Sequence, residues 1–391
     1  MDNPKITVII PVYNTADYLE ECINSVVNQS FNEFEIICVN DGSTDSSLDI
    51  LESYKSKDSR ITIINQPNMG LGAARNVALK CAKGDYILFL DSDDYIAEEM
   101  LSDVYNLVQQ KSLDLLFFKL INFDNDTRAE SKANYFEMKF LNKMVGSTVF
   151  NWKDVKDRLF DLSVTAPGKL FKRDLIKDME FPEDLIFEDT LFFMETFFKV
   201  KRAYFYDKHF YFRRIRSDSI MNSYYKNFPD CIPIYDRIGD YLKHVKLYDD
   251  FAVQLFDRKC KDIFTRFCKV PDDFKEEFYT IIKQNFSEFE TSLLSEGTLE
   301  SCNERSNVIF YSAVNSDSYR EFELLVESFD LRKYCDRLKS ENDKSEKRYE
   351  HKISELTSEN EKYQREINVL KNSTSWKVTR IFRIVMRYFK K

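Results

Sequence analysis

Asp85-Tyr86-Ile87-Leu88-Phe89-Leu90-Asp91-Ser92-Asp93-Asp94-Tyr95 is a run of apolar residues that ends in three carboxylates. Ile87 to Leu90 are large and apolar at consecutive positions, the pattern of a strand buried on both faces of a parallel sheet. A buried strand carries no charge. Asp91, Asp93 and Asp94 therefore belong where it emerges, at the carboxyl edge at which open α/β sheets bind ligands. Three carboxylates within four residues repel one another, and a cation among them relieves the repulsion. Oxygen ligands of this kind favour Mg2+ or Mn2+. For an isolated Asp-x-Asp a polar loop is the better explanation, since so short a pattern arises often by chance, so the neighbouring segments decide.

Upstream, Ile6 to Val12 read as a first strand. Tyr18, Leu19, Cys22, Ile23, Val26 and Val27 then recur at helical spacing, behind a cap at Asn14 or Thr15. A second strand, Phe34 to Val39, runs into Asn40-Asp41-Gly42-Ser43-Thr44-Asp45. A tight turn at Gly42 and a cap at Ser43 or Thr44 explain those residues but leave Asp41 unassigned. Ile61 to Ile64 form a third strand, and Gly70-Leu71-Gly72 opens a helix over Ala73 to Ala82, stopped by Gly84. Arg75 stands where a dinucleotide fingerprint needs its third glycine, which sets a Rossmann dehydrogenase aside. Strands alternating with helices at this spacing predict a parallel sheet with helices on both sides. Asp41, Arg75 and the acidic triplet then converge on one rim, as parts of a nucleotide-diphosphate site.

Composition narrows the classes. The 391 residues bury a sizeable core, with 43% hydrophobic content, and carry a net charge of −9, which argues against a nucleic-acid partner. The eight cysteines, Cys22, Cys38, Cys81, Cys231, Cys260, Cys268, Cys302 and Cys335, form no C-x-x-C pair and read as free thiols in a reducing compartment. With no leader pattern and no apolar run of about 18 residues, the expected location is cytoplasmic, without a membrane span.

Ile9-Ile10-Pro11-Val12-Tyr13-Asn14, Val39 to Asp45, Asn68-Met69-Gly70-Leu71-Gly72-Ala73-Ala74-Arg75-Asn76 and Phe89 to Asp94 together resemble the successive signatures of family 2 glycosyltransferases, inverting enzymes of the GT-A fold. Four motifs in the expected order are far more specific than any one of them. The resemblance implies an α/β GT-A nucleotide-diphospho-sugar transferase fold. It also implies donor contacts from Pro11, Tyr13, Asp41, Arg75 and Asp91, with Asp93 and Asp94 as ligands of Mn2+ or Mg2+.

Further along, Thr165-Ala166-Pro167-Gly168-Lys169-Leu170-Phe171-Lys172 precedes Glu188-Asp189, which opens a helical run from Leu191 to Phe198, with Thr190 available as a cap. Acidic residues at a helix start are ordinarily explained by the helix dipole. The order of segments again resembles the family, in which the aspartate of such a pair is the catalytic base, and this implies Asp189. Gly168 departs from the larger residue common before the lysine. Arg214-Ile215-Arg216 resembles a segment that closes over the donor diphosphate, implying roles for Arg214 and Arg216.

The expected organisation is a nucleotide-sugar half over residues 1–105, an acceptor half over 106–225, a helical extension over 226–335, a short coiled coil over 336–371 and a basic amphipathic helix over 372–391. In the coiled coil, Tyr349, Leu356, Tyr363 and Leu370 stand seven apart, with Ile353, Asn360 and Ile367 between them. That seam predicts a homodimer whose register is fixed by Asn360. Trp376 to Lys391 contain no acidic residue, and the arginines and apolar residues separate on a helical projection. Such a helix predicts either peripheral contact with the anionic cytoplasmic face of a membrane or docking on the protein's own helical region or a partner.

These readings predict a metal-dependent transferase that moves a sugar from a nucleotide-diphosphate donor, a UDP-sugar, to a hydroxyl of a glycan or glycolipid acceptor in cell-surface polysaccharide synthesis. The alternatives are a sugar nucleotidyltransferase, which the Glu188-Asp189 segment argues against, and a non-catalytic scaffold working through its coiled coil.

Overall fold

Seven consecutive buried residues, Ile6–Val12, form β1, which takes the centre of the first half of the sheet because neither of its faces meets water. The computed structural model describes residues 4–215, 225–295, 297–341 and 346–373, and these divide into two compact units, 1–223 and 224–391. In the first unit the strands β2 (Phe34–Asp41), β3 (Ile61–Gln66) and β4 (Tyr86–Phe89) run parallel to β1 in the order β3-β2-β1-β4. The helices α1 (Ala16–Val27), α2 (Ser47–Lys55) and α3 (Leu71–Cys81) connect them. This much follows the expected alternation of strand and helix.

Beyond β4 the sheet becomes mixed. After β5 (Tyr95–Ile96) come helix α4 (Met100–Lys111), β6 (Leu115–Asp124), β7 (Glu130–Ser131), β8 (Lys169–Lys172) and β9 (Ala203–Ile215). β8 inserts antiparallel between β4 and β6, β9 pairs parallel with β6, and β5 pairs antiparallel with β9. The parallel sheet expected from the first hundred residues thus continues here as a mixed one. The order continues β4-β8-β6-β9-β5, which returns the end of β9 to the segment that follows β4.

One core cluster joins Val8, Ile10 and Cys38 to Leu88, Leu116 and Phe118, each with no exposed surface. On other contacts Phe89 meets Phe171, Phe181 and Phe192 edge to face at 5.8, 5.4 and 6.2 Å. Full burial of such side chains contributes about 1.5–3 kcal/mol each. Gly84, expected as a helix stop, serves a different need. A Cβ there would lie 2.4 Å from Thr7 N, so the glycine permits close approach of α3's exit to β1.

The second unit is helical. Its last two helices among the described residues, Tyr319–Glu341 and Glu346–Ser373, pack on each other. Ile367 and Tyr363 meet Leu324 and Leu325, whereas Leu356 and Ile353 meet Cys335, Leu338 and Leu331, so the two helices run in opposite directions. Asn360 Oδ1 accepts from Ser328 Oγ at 3.3 Å. Ile353, Leu356, Asn360, Tyr363 and Ile367 of the heptad seam thus pack on the preceding helix of the same chain. Among the described residues no helix is long and apolar enough to cross a membrane. The basic segment Trp376 to Lys391 lies outside the described residues.

Candidate active site

The site gathers where β1, β2 and β4 end together, as their parallel registers require. Two loops are stitched there. Asn14, at φ 50°, accepts from Thr44 N at 2.7 Å through its Oδ1, and its own N–H reaches Ser43 Oγ at 3.2 Å. Asn14 is thus a tie between loops and Thr15 takes the helix N-cap position, without a side-chain capping bond. Gly42 sits at φ 71° with its Cβ position 2.7 Å from Asn68 N, so both backbone angle and space call for glycine. Pro11 is buried within β1, paired with Val39, and Tyr13 is 41% exposed on the rim.

Asp41 closes β2. Its Oδ1 accepts from Gln66 Nε2 at 2.7 Å and Met69 N at 2.9 Å, and its Oδ2 from Gly70 N at 2.9 Å. Backbone donors thus hold the carboxylate in place, and the turn reading that left it unassigned is replaced by a specific anchor.

Arg75 projects from α3 into the centre and is 1% exposed. Its Nη1 donates to Glu188 Oε1 at 2.7 Å and Asp189 Oδ1 at 2.6 Å, and its Nη2 to Asp91 Oδ1 at 3.0 Å. One guanidinium thus collects carboxylates from three segments of chain. The charge around it holds Arg75 protonated against its own burial. Arg75, expected beside the donor, thus also ties together the site's own acids.

Glu188 and Asp189 open the helix Glu188–Phe197 behind Phe187, whose φ of 68° is unusual for a bulky residue and carries strain on the order of 1–3 kcal/mol. The N-cap residue Phe187 makes no side-chain capping bond, and the side chain of Asp189 turns to Arg75 and to Ala166 N, the latter at 3.1 Å from Oδ2. Burial, then the Asp189 charge, pushes Glu188 up to about 7, with Arg75 opposing. Burial also raises Asp189 above the usual carboxylate range, against the pull of Arg75. Burial thus outweighs the one guanidinium shared between them, which is why Glu188 and Asp189 shift upward although a cation touches both.

The acidic triplet divides by environment. Asp94 N donates to Asp91 O at 3.0 Å, closing a tight turn. Asp91 and Asp93 are half-buried at its surface, whereas Asp94 is 4% exposed. Asp94 Oδ2 accepts from Tyr211 Oη at 2.7 Å and Oδ1 from Arg214 N at 2.8 Å, and Tyr211 Oη itself accepts from Asp91 N at 3.1 Å. Burial first, then Asp93 and Asp91, raises Asp94 well above the usual carboxylate range. Arg214 Nε donates to Asp93 O at 2.7 Å, Nη1 to Asn125 Oδ1 at 2.8 Å, and Nη2 to Glu21. Arg214 is thereby a brace for the turn. Arg216 lies outside the described residues.

Among the described residues no three His, Cys, Asp or Glu side chains surround a common point. A divalent cation that keeps waters and diphosphate oxygens needs only one or two protein carboxylates, and the half-buried pair Asp91 and Asp93 fits that requirement. Tyr211, Glu21 and Asn125 escaped sequence reading, since a tyrosine in an aromatic strand and two surface-type polar residues carry no local signal.

A family model described as glycosyl transferase family 2 matches residues 7–161. Poly(ribitol-phosphate) beta-glucosyltransferase of Bacillus spizizenii is 42% identical over 178 residues, which is 44% of this chain and 26% of that protein. Glycosyltransferase GlyG of Streptococcus pneumoniae is 30% identical over 231 residues, 56% of this chain and 73% of that protein. The chain thus spans about a quarter of the first relative and nearly three quarters of the second. The crystal structure of Staphylococcus aureus TarS 1–349 in complex with UDP-GlcNAc matches with a TM-score of 0.66 at 25% identity, over 83% of this chain and 91% of that one.

Proposed function

The chain belongs to glycosyl transferase family 2, and on that premise we propose that it transfers a sugar from a UDP-linked donor to a hydroxyl of a polymeric or lipid-linked acceptor, inverting the anomeric carbon in one displacement. The family sets the sugar nucleotidyltransferase alternative aside. The donor class is favoured by the likeness to TarS bound to UDP-GlcNAc, and a polyol-phosphate polymer by the name of the Bacillus relative.

The observation that carries this reading is Asp189, fixed through Oδ1 by Arg75 and through Oδ2 by the Ala166 N–H, beside Asp91 on the rim. A carboxylate has about four lone-pair positions, so two remain to take the acceptor proton. Its raised pKa brings its basicity toward that needed near neutral pH. Asp41 and the exposed Tyr13 border the place for the donor's base, and Asp91 that for its ribose. Asp93, with Asp91 beside it, would hold Mn2+ or Mg2+, and Asp94 braces them from below. The metal, when bound, offsets charge on the departing diphosphate. A lipid-linked acceptor would bring the enzyme to a membrane surface, where the basic segment 376–391 would meet anionic headgroups.

The test measures UDP release and product formation with a panel of nucleotide sugars and Mn2+, in wild type, Asp93→Ala and Asp189→Asn. One donor should be turned over, Asp93→Ala should lose metal-dependent turnover, and Asp189→Asn should bind donor without transferring. Transfer at the wild-type rate by Asp189→Asn would sink the reading.

A further inference from the structure

Lys169 opens β8 and is 1% exposed, yet its ammonium plays no part in the chemistry described above. Its Nζ donates to the carbonyl oxygen of Thr165 and lies 5.6 and 5.0 Å from the ring centroids of Phe117 and Phe193. Burying a lysine so deeply is costly unless something specific is gained. The Thr165 carbonyl belongs to the same peptide group as the Ala166 N–H. That N–H is the donor 3.1 Å from Asp189 Oδ2.

We propose that Lys169 is a positioning residue for Asp189, acting through the Thr165–Ala166 peptide group: it fixes the oxygen end of a planar unit whose N–H end holds Oδ2. Because the peptide is planar, anchoring its oxygen sets the direction of its N–H. A hydrogen bond accepted at the oxygen also polarises the unit and strengthens the bond donated from nitrogen. The loop around it is stiff. Thr165 Oγ1 donates to Pro167 O at 3.0 Å, and Phe118 N donates to Gly168 O at 3.1 Å. Gly168 has a φ of 85° and a Cβ position 2.3 Å from Leu120 Cδ1, so the glycine that departs from the family pattern is what this loop path demands.

The charges that face this pair are few. Burial pulls Lys169 down to about 7, opposed by the charge of Asp189. Asp189 is faced by Arg75, Asp91 and Lys169, with Glu188 adjoining, and Lys169 lowers its pKa. Removing the ammonium therefore loosens the base and makes it harder to deprotonate.

The inference rests on Asp189 being the acceptor's base. The test uses the full chain, with Lys169→Met, which keeps the side-chain length between the two rings, and Lys169→Gln, which restores an uncharged donor. Lys169→Met should bind the UDP-sugar with wild-type affinity by calorimetry. Its kcat should fall toward the roughly 100-fold loss that a misplaced reacting group costs, and the acid limb of its kcat profile should move to higher pH. Lys169→Gln should recover part of kcat. Wild-type kcat with an unmoved acid limb in Lys169→Met overturns the inference, as does loss of donor affinity in step with kcat, which would mark a structural role. Asp189→Asn run in parallel separates the two readings. If it still transfers, the base assignment has failed whatever Lys169 does.

Discussion

Arg75 Nη1 lies 2.6 Å from Asp189 Oδ1 across 114 residues of sequence, and the same nitrogen also reaches Glu188. A guanidinium presents donors in a fixed fork, which an ammonium cannot imitate. Arg75→Lys should keep one of the three carboxylates paired and leave the others, Glu188 or Asp189 among them, without their buried cation. Breaking a buried pair from one side costs about 3–5 kcal/mol, so the variant should unfold at markedly lower temperature and lose most of its transfer. Unchanged thermal unfolding would show that the cluster contributes nothing net to the fold.

Glu188 gives the folded protein a proton that the unfolded chain releases more readily. Its carboxyl is pushed from an ordinary 4.5 up to about 7 by burial and by Asp189, against Arg75. The resulting stabilisation is fully present below about pH 4.5 and is lost as pH rises through 7. Glu188→Gln keeps an acceptor for Arg75 but cannot ionise. Thermal unfolding of the variant between pH 5 and 8 should therefore show a shallower decline than wild type. Parallel curves would place the proton elsewhere in the cluster.

Tyr211 ties the acidic turn to β9, donating to Asp94 and accepting from Asp91 N. Tyr211→Phe removes both bonds while keeping the ring. A buried partner left unsatisfied costs about 1–3 kcal/mol, more when charged. The turn carrying Asp91 and Asp93 should loosen, so Mn2+ titration of the donor complex should shift to higher metal concentration. If metal and donor binding are untouched, the turn holds its shape without the tyrosine.

The legibility of this chain follows from how local each signal is. The apolar runs of β1, β2 and β4 and the acids at their ends are consecutive in sequence, so the strands and the rim could be read directly. Register brings Asp41 and Asp91 together once β1, β2 and β4 are parallel. Arg75 was legible as a site residue but not its partners, because a guanidinium's choice between a diphosphate and three carboxylates depends on burial. Tyr211 and Lys169 act over 117 residues and through a peptide group respectively, and neither relationship leaves a pattern in the chain. The heptads fall within the helix Glu346–Ser373, where Leu356 and Ile367 are buried. Its partner was not legible, since Leu324, Leu325 and Cys335 satisfy it from a helix whose own pattern is charged and irregular.

That seam gives the last prediction. Leu356 is 7% exposed, packed with Cys335, Leu338 and Ile353, and Asn360 meets Ser328 one turn further along. Leu356→Asp places a carboxylate in this apolar contact, where desolvation without a partner is unfavourable. If the seam works within one chain, the variant should lose amide-exchange protection across 346–373 and 319–341 together, with no change in sedimentation coefficient attributable to dissociation. Donor binding should persist, because Asp41, Arg75 and Asp91 belong to the other compact unit. A seam that joins two chains predicts the opposite pairing of results: the wild type sediments as a dimer, and Leu356→Asp halves its mass. Sedimentation velocity and exchange measured on the same two proteins distinguish the cases, because only an intrachain hairpin loses protection at constant mass.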